Sequence, residues 1–155
     1  MNLSKPPSEY SSVITHLFDA PRELVFKAWS SAEHMAKWFG PHSFSVPYID
    51  WELGVGNEYE IHMLDSDGTV YPSWGVFEEI VVPERIVFRS WAFKDEDGEP
   101  NMIAHNTVTF EALGEQTRLT LRVVVEKAGP GMDVHLSGMV EGWTESFEKM
   151  AATLR

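Results

Sequence analysis

The chain has 155 residues, with 24 acidic against 12 basic side chains and a formal net charge of -12. That length suits one domain with its own core, and an acidic surface without basic clusters argues against nucleic acid or anionic membranes as partners. The absence of cysteine excludes disulfides, thiolate metal sites and thiol nucleophiles.

Residues 1–11 are polar, carry Pro6-Pro7 and read as a flexible leader before a single domain over 12–155. They contain no apolar signal segment, and no apolar run is long enough to span a membrane, so the expected location is the cytoplasm. Residues 12–18 alternate as a strand, with Ile14, His16 and Phe18 on one face. Asp19-Ala20-Pro21 then opens a helix that gathers Leu24, Val25, Ala28 and Trp29 on one side. Ser30-x-x-Glu33 has the spacing of a capping box for a second short helix, which Gly40-Pro41 ends.

Beyond Pro41 the period becomes two. Strands are predicted over 44–51, 57–64, 73–82, 85–93, 104–112 and 117–126, joined by short turns rich in Gly, Asp and Pro. Short turns between successive strands predict an antiparallel meander. Helical spacing returns from about Ser137 to Leu154, where Met139, Trp143, Phe147, Met150 and Leu154 form one apolar stripe. The predicted fold is α+β: a curved seven-stranded antiparallel sheet around a long C-terminal helix, with two short helices after the first strand. A straight helix against a curved sheet leaves room for a cavity.

Aromatic residues are abundant, at 9 Phe, 6 Trp and 4 Tyr. Alternation and helical spacing suggest that Tyr59, Trp74, Phe88, Trp91, Phe110, Trp143 and Phe147 face one another across that space. Ile61, Met63, Val76, Asn106, Val108 and Met150 complete the expected lining, with Tyr59, Asn106 and indole N–H groups as orienting polar groups. The set reads equally as the wall of a pocket or the filling of a core.

The six histidines show no metal-ligand spacing, and no metal or cofactor site is expected. His62 falls on the strand face opposite Ile61 and Met63. His105 could reach a cavity mouth as a general acid or base, and one of Glu78 and Glu79 could face the interior. The Asp65-x-Asp67-Gly68 and Asp95-x-Asp97-Gly98 runs read as hairpin turns, since neither continues into a calcium loop.

Several stretches, taken in order, resemble the SRPBCC superfamily, also called START-like or helix-grip. They are Phe18-Asp19-Ala20-Pro21, Ala28-Trp29, Trp38-Phe39-Gly40-Pro41, Gly54-x-Gly56-x-x-Tyr59, Trp74-Gly75-Val76-Phe77, Pro83-Glu84-Arg85-Ile86 and Gly142-Trp143. Within that superfamily the chain resembles the activator of heat-shock-protein-90 ATPase homologue-like family. Two positions depart from the family's pattern: Asn57 stands where a second Gly is usual, and His16 where a basic residue is frequent. The resemblance implies the helix-grip fold directly and an activity only loosely. The reading that follows is non-catalytic binding of a small hydrophobic or amphipathic molecule. A co-chaperone-like partnership with the heat-shock ATPase and a cyclase or hydrolase using the same cavity stay open, as does a homodimer.

Overall fold

The computed structural model describes residues 10–154. Most of the expected leader, residues 1–9, lies outside the described residues. At its end, Ser11 Oγ already accepts a hydrogen bond from Val125 N–H at 3.1 Å.

The elements follow in the order β1 (Ser12–Phe18), α1 (Arg22–Lys27), α2 (Ala32–Met35), β2 (Ser45–Asp50), β3 (Glu58–Leu64), β4 (Val70–Val81), β5 (Arg85–Lys94), β6 (Pro100–Leu113), β7 (Gln116–Ala128), α3 (Asp133–Ser137) and α4 (Met139–Thr153). All strands pair antiparallel in one seven-stranded sheet, ordered β1-β7-β6-β5-β4-β3-β2. The chain thus meanders from β2 to β7 and sets β1 against the outer side of β7. This is the expected sheet and C-terminal helix.

The inner face of the sheet is largely apolar. Tyr59 and Ile61 on β3, Phe77 on β4, Ile86 and Phe88 on β5, Val108 and Phe110 on β6, and Leu119 and Leu121 on β7 are all buried. Phe147 and Met150 of α4 have no exposed surface. The Phe147 ring meets Phe18 at 6.3 Å between centroids, and Phe26 of α1 meets Phe110 at 5.1 Å. Indole N–H groups tie the connecting layer together. Trp38 donates to the Ala28 carbonyl at 2.9 Å, and Trp51 donates to the Trp29 carbonyl at 2.7 Å. Each buried donor that finds an acceptor avoids a penalty of about 1–3 kcal/mol. Gly75 is required by close approach. A Cβ there would strike the Arg89 carbonyl oxygen and come within 2.5 Å of the Tyr59 ring.

The structure corrects several local expectations. The cap of α2 is Ser31 rather than Ser30: Ser31 Oγ accepts from His34 N–H, whereas Ser30 Oγ donates to the Lys27 carbonyl. The C-terminal helix does not begin at 137. The backbone at Gly138 leaves the helical region and separates α3, which buries Leu136, from α4. β4 and β6 begin three and four residues earlier than predicted, at Val70 and Pro100. Pro72 is tolerated because β5 pairs with β4 only from Ser73 onward, so Pro72 faces no neighbour on that side. Pro100 is the first residue of its strand. The two Asp-Gly runs are hairpin turns, closed by Gly68 N–H to the Asp65 carbonyl and Gly98 N–H to the Asp95 carbonyl, both at 3.0 Å.

His16 occupies the inner face of β1, 4.5 Å from the Phe18 ring and 6.3 Å from Phe147. Burial pushes its imidazole below the ordinary value, against an opposing pull from Glu148. The folded state therefore binds the proton more weakly than the unfolded chain does. Stability from this site is complete above about pH 6.5 and falls as pH drops below it toward the folded-state value. The melting temperature of the wild type should thus fall more between pH 7.5 and 5 than that of His16→Leu. Parallel pH profiles for the two proteins would contradict this assignment.

Candidate functional site

The predicted pocket residues separate into three places. Tyr59, Ile61, Phe88, Val108, Phe110, Phe147 and Met150 are buried and fill the core. Tyr59 is wholly buried, which pushes its phenol far above the ordinary value, while a hydrogen bond with Ser90 opposes that shift. Asn106 is buried beside it and donates to Ser90 Oγ at 3.0 Å and to the Phe88 carbonyl at 3.2 Å. These polar groups are engaged with the protein itself. Trp29 differs: its Nε1 is buried with no acceptor among the described residues.

Trp74, Val76 and Trp91 lie on the other face. Trp74 is directly opposite Trp91, and Val76 is opposite Arg89, while Tyr59 is paired with Gly75 on the alternate side. Alternation therefore turns these three residues away from α4. Lys94 Nζ stands 5.1 Å from the Trp74 ring. An open groove of about 520 Å³ runs past Trp74, and Asp50, Glu58, Glu60 and Lys94 make it polar.

His105 and Glu78 are also on the outer face. His105 Nε2 lies 3.0 Å from Glu78 Oε1, and Arg89 joins Glu78 at 3.3 Å and Glu126 at 2.8 Å. His105, which could have reached a cavity mouth, instead joins a half-exposed polar network on the outer face. Glu79 pairs with Arg85, also at the surface. His62 is opposite the inner face as expected and bonds Glu60 at 2.5 Å.

Met63 and Trp143 are the two predicted residues that line a cavity. Its volume is about 310 Å³, and it opens at one end of the sheet beneath the start of α4. One wall is the loop after α2, with Phe39, Gly40, Pro41 and Phe44. The floor is the end of four strands, with Met63, Tyr71, Phe93 and Met102. The roof is α3 and the first turns of α4, with His135, Leu136, Met139, Gly142, Trp143 and Ser146. Trp143 forms the inner limit. Its ring meets Phe39 at 5.8 Å on the cavity side and packs 6.4 Å from Trp29, nearly parallel, toward the core.

Polar contacts hold the loop wall against α4. Lys149 Nζ donates to the carbonyls of Gly40, Pro41 and Phe44, each at 3.2 Å. Burial lowers the Lys149 pKa, and Glu145 opposes that shift. Glu145 accepts from His42 N–H at 3.1 Å, and His42 Nε2 lies 3.3 Å from Glu148.

Phe93 reaches the cavity by an unusual backbone turn. Simple alternation along β5 would put it on the outer face with Trp91. Its φ of 57° is in the left-handed region, which costs a non-glycine residue roughly 1–2 kcal/mol. The ring then stacks on His135 at 4.2 Å, and Tyr71 approaches both rings, at 6.2 Å from Phe93 and 6.3 Å from His135. Among the described residues, neither the Tyr71 hydroxyl nor a ring nitrogen of His135 has a hydrogen-bond partner.

The pocket is open at its mouth and lined mainly by apolar side chains. Among the described residues, no cluster of three or more His, Asp or Glu could hold a metal ion. No helix among them is long and apolar enough to cross a membrane.

Comparison with known proteins places this geometry in a family. A solution structure from Arthrobacter aurescens is similar at 28% identity and a TM-score of 0.82, covering 97% of this chain and 89% of that one. A crystal structure from Mycobacterium smegmatis, at 23% identity and a TM-score of 0.80, covers 100% of this chain and 96% of that one. The AHSA1 protein of Silicibacter pomeroyi, at 24% identity and a TM-score of 0.77, covers 93% and 96%. At these two lower identities the likeness shows the shared fold alone. Nothing among the curated proteins matches. The model of the Activator of Hsp90 ATPase homolog 1-like protein family matches residues 19–155, and the chain belongs to that family, with its helix-grip fold.

Proposed function

We propose that this protein binds a small, largely apolar molecule in the cavity beneath the start of α4, without transforming it. The observation that supports this reading is the lining. Phe39, Phe44, Met63, Phe93, Met102, Met139 and Trp143 come from several elements and present apolar surface to one open-mouthed pocket. A volume of about 310 Å³ is at the small end of ligand sites. Met63, Met102 and Met139 give the walls unbranched, adaptable side chains. The titratable groups of the lining are Tyr71 and His135, side by side at one end, an arrangement suited to orienting a ligand.

Gly142 lines this space without a side chain. It lies within α4, where glycine is less favourable than alanine by about 0.8–1 kcal/mol. A Cβ at Gly142 would meet only Pro41, at an ordinary 3.5 Å. Its lack of a side chain is therefore not forced by packing, and a side chain longer than Ala there would project into the lined space.

A second reading rests on the family match over residues 19–155. It makes the chain a direct activator of the heat-shock ATPase. The binding reading predicts that the purified chain leaves the turnover of a heat-shock-protein-90 ATPase unchanged. Stimulation that rises with added chain and saturates would favour the second reading.

The cavity itself is tested by thermal shift with naphthalene-sized apolar compounds. A ligand at 100 times its Kd should add about 2.7 kcal/mol, which raises the melting temperature by roughly 5–10 °C. Gly142→Ala should melt higher than the wild type when free, by up to about 1 kcal/mol of helix stability. Gly142→Leu should fold and lose the ligand-induced shift. An undiminished shift in the folded Gly142→Leu variant, or no shift in the wild type, would overturn the proposal.

A further inference from the structure

We propose that the ligand is a flat apolar acid, whose carboxylate is held by Tyr71 and His135 while its body lies against the Met139 and Trp143 side. This rests on the binding function proposed above and names the chemical class. Three observations carry it.

The first is charge. The chain contains 24 acidic residues, yet no Asp or Glu lines the cavity. The approach of an anion to the lining itself therefore meets no carboxylate.

The second is the pair of free donors. Tyr71 and His135 come from different elements, and their rings lie 6.3 Å apart. Neither polar end is engaged by another described residue. The Tyr71 hydroxyl donates, and His135 donates through a ring N–H in either tautomer and through both nitrogens when protonated. Two neighbouring donors match a carboxylate, which accepts on two oxygens. Beyond this end the walls are apolar, so the site has one polar pole and one apolar pole.

The third is the strained backbone at Phe93, with φ 57°. Strain of this kind persists where the surroundings over-determine it, and it clusters at ligand clamps. Here it carries a ring across from the outer face of β5 to stack on His135 at 4.2 Å. The stack fixes the plane of the imidazole, so its N–H directions are set before a ligand arrives. A rigid, flat ring beside that donor pair favours a flat ligand body.

The test titrates the full chain with 2-naphthoate and with its neutral isostere 2-naphthamide, by calorimetry. The acid should bind at least about tenfold more tightly, because its hydrogen bonds are charge-assisted. Tyr71→Phe and His135→Leu should each weaken naphthoate severalfold and naphthamide by clearly less. Both variants should melt as the wild type does, since His135 is exposed at the rim and Phe keeps the Tyr71 ring. Gly142→Leu should weaken both compounds, which locates them in the cavity. Equal affinity for acid and amide, or an acid affinity untouched by both substitutions, would overturn the carboxylate assignment and leave the cavity reading intact. Failure of both compounds to bind the wild type would overturn the two together.

Discussion

One short helix has to cover a sheet of seven strands, and the rest of the structure depends on that mismatch. α4 has 15 residues. At 1.5 Å per residue it is roughly 22 Å long. Aromatic rings complete the cover where the helix touches the sheet. Phe147 packs on Phe18 of β1, Trp29 meets Phe88 of β5 and Phe110 of β6, Trp51 meets Phe88, and Trp38 bridges Trp29 and Phe147. Where the helix begins, that filling stops at Trp143, and the cavity starts.

The same constraint explains why polar groups divide into two populations. Deep in the core, Tyr59, Ser90 and Asn106 satisfy one another, as most buried polar groups do, with the Trp29 indole N–H an exception. At the open end, Tyr71 and His135 are left available, because water or a ligand can reach them. Lys149 links the two regions. It donates to three carbonyls of the loop that walls the cavity, so the loop's position depends on the helix that closes the core.

Sequence periodicity was enough for the architecture, because each element must bury a face and repeats that need along its length. Met139, Trp143, Phe147 and Met150 declare one face of α4 without ambiguity. The site was harder to read for physical reasons. On β4 both faces carry aromatic residues, Tyr71 inward and Trp74 outward, so alternation alone does not say which faces α4. The β-bulge between Phe77 and Glu79 shifts the register and leaves Glu78 and Glu79 on the outer side with their ion pairs. Phe93 escapes alternation through its left-handed backbone, which no local pattern announces. His135 belongs to a five-residue helix, too short to show a period. Gly142-Trp143 marks the last helix in the sequence, but the glycine lies one turn inside α4 and at the cavity wall, which the motif alone does not say.

The most direct measurement uses the methionine methyl groups as internal reporters. Met63, Met102 and Met139 line the cavity, whereas Met35 and Met150 are fully buried elsewhere. In a methyl-labelled NMR titration with 2-naphthoate, the signals of Met63, Met102 and Met139 should shift together and saturate, while those of Met35 and Met150 stay nearly fixed. Shifts concentrated at Met35 and Met150, or saturable binding that moves none of the cavity methyls, would contradict the account.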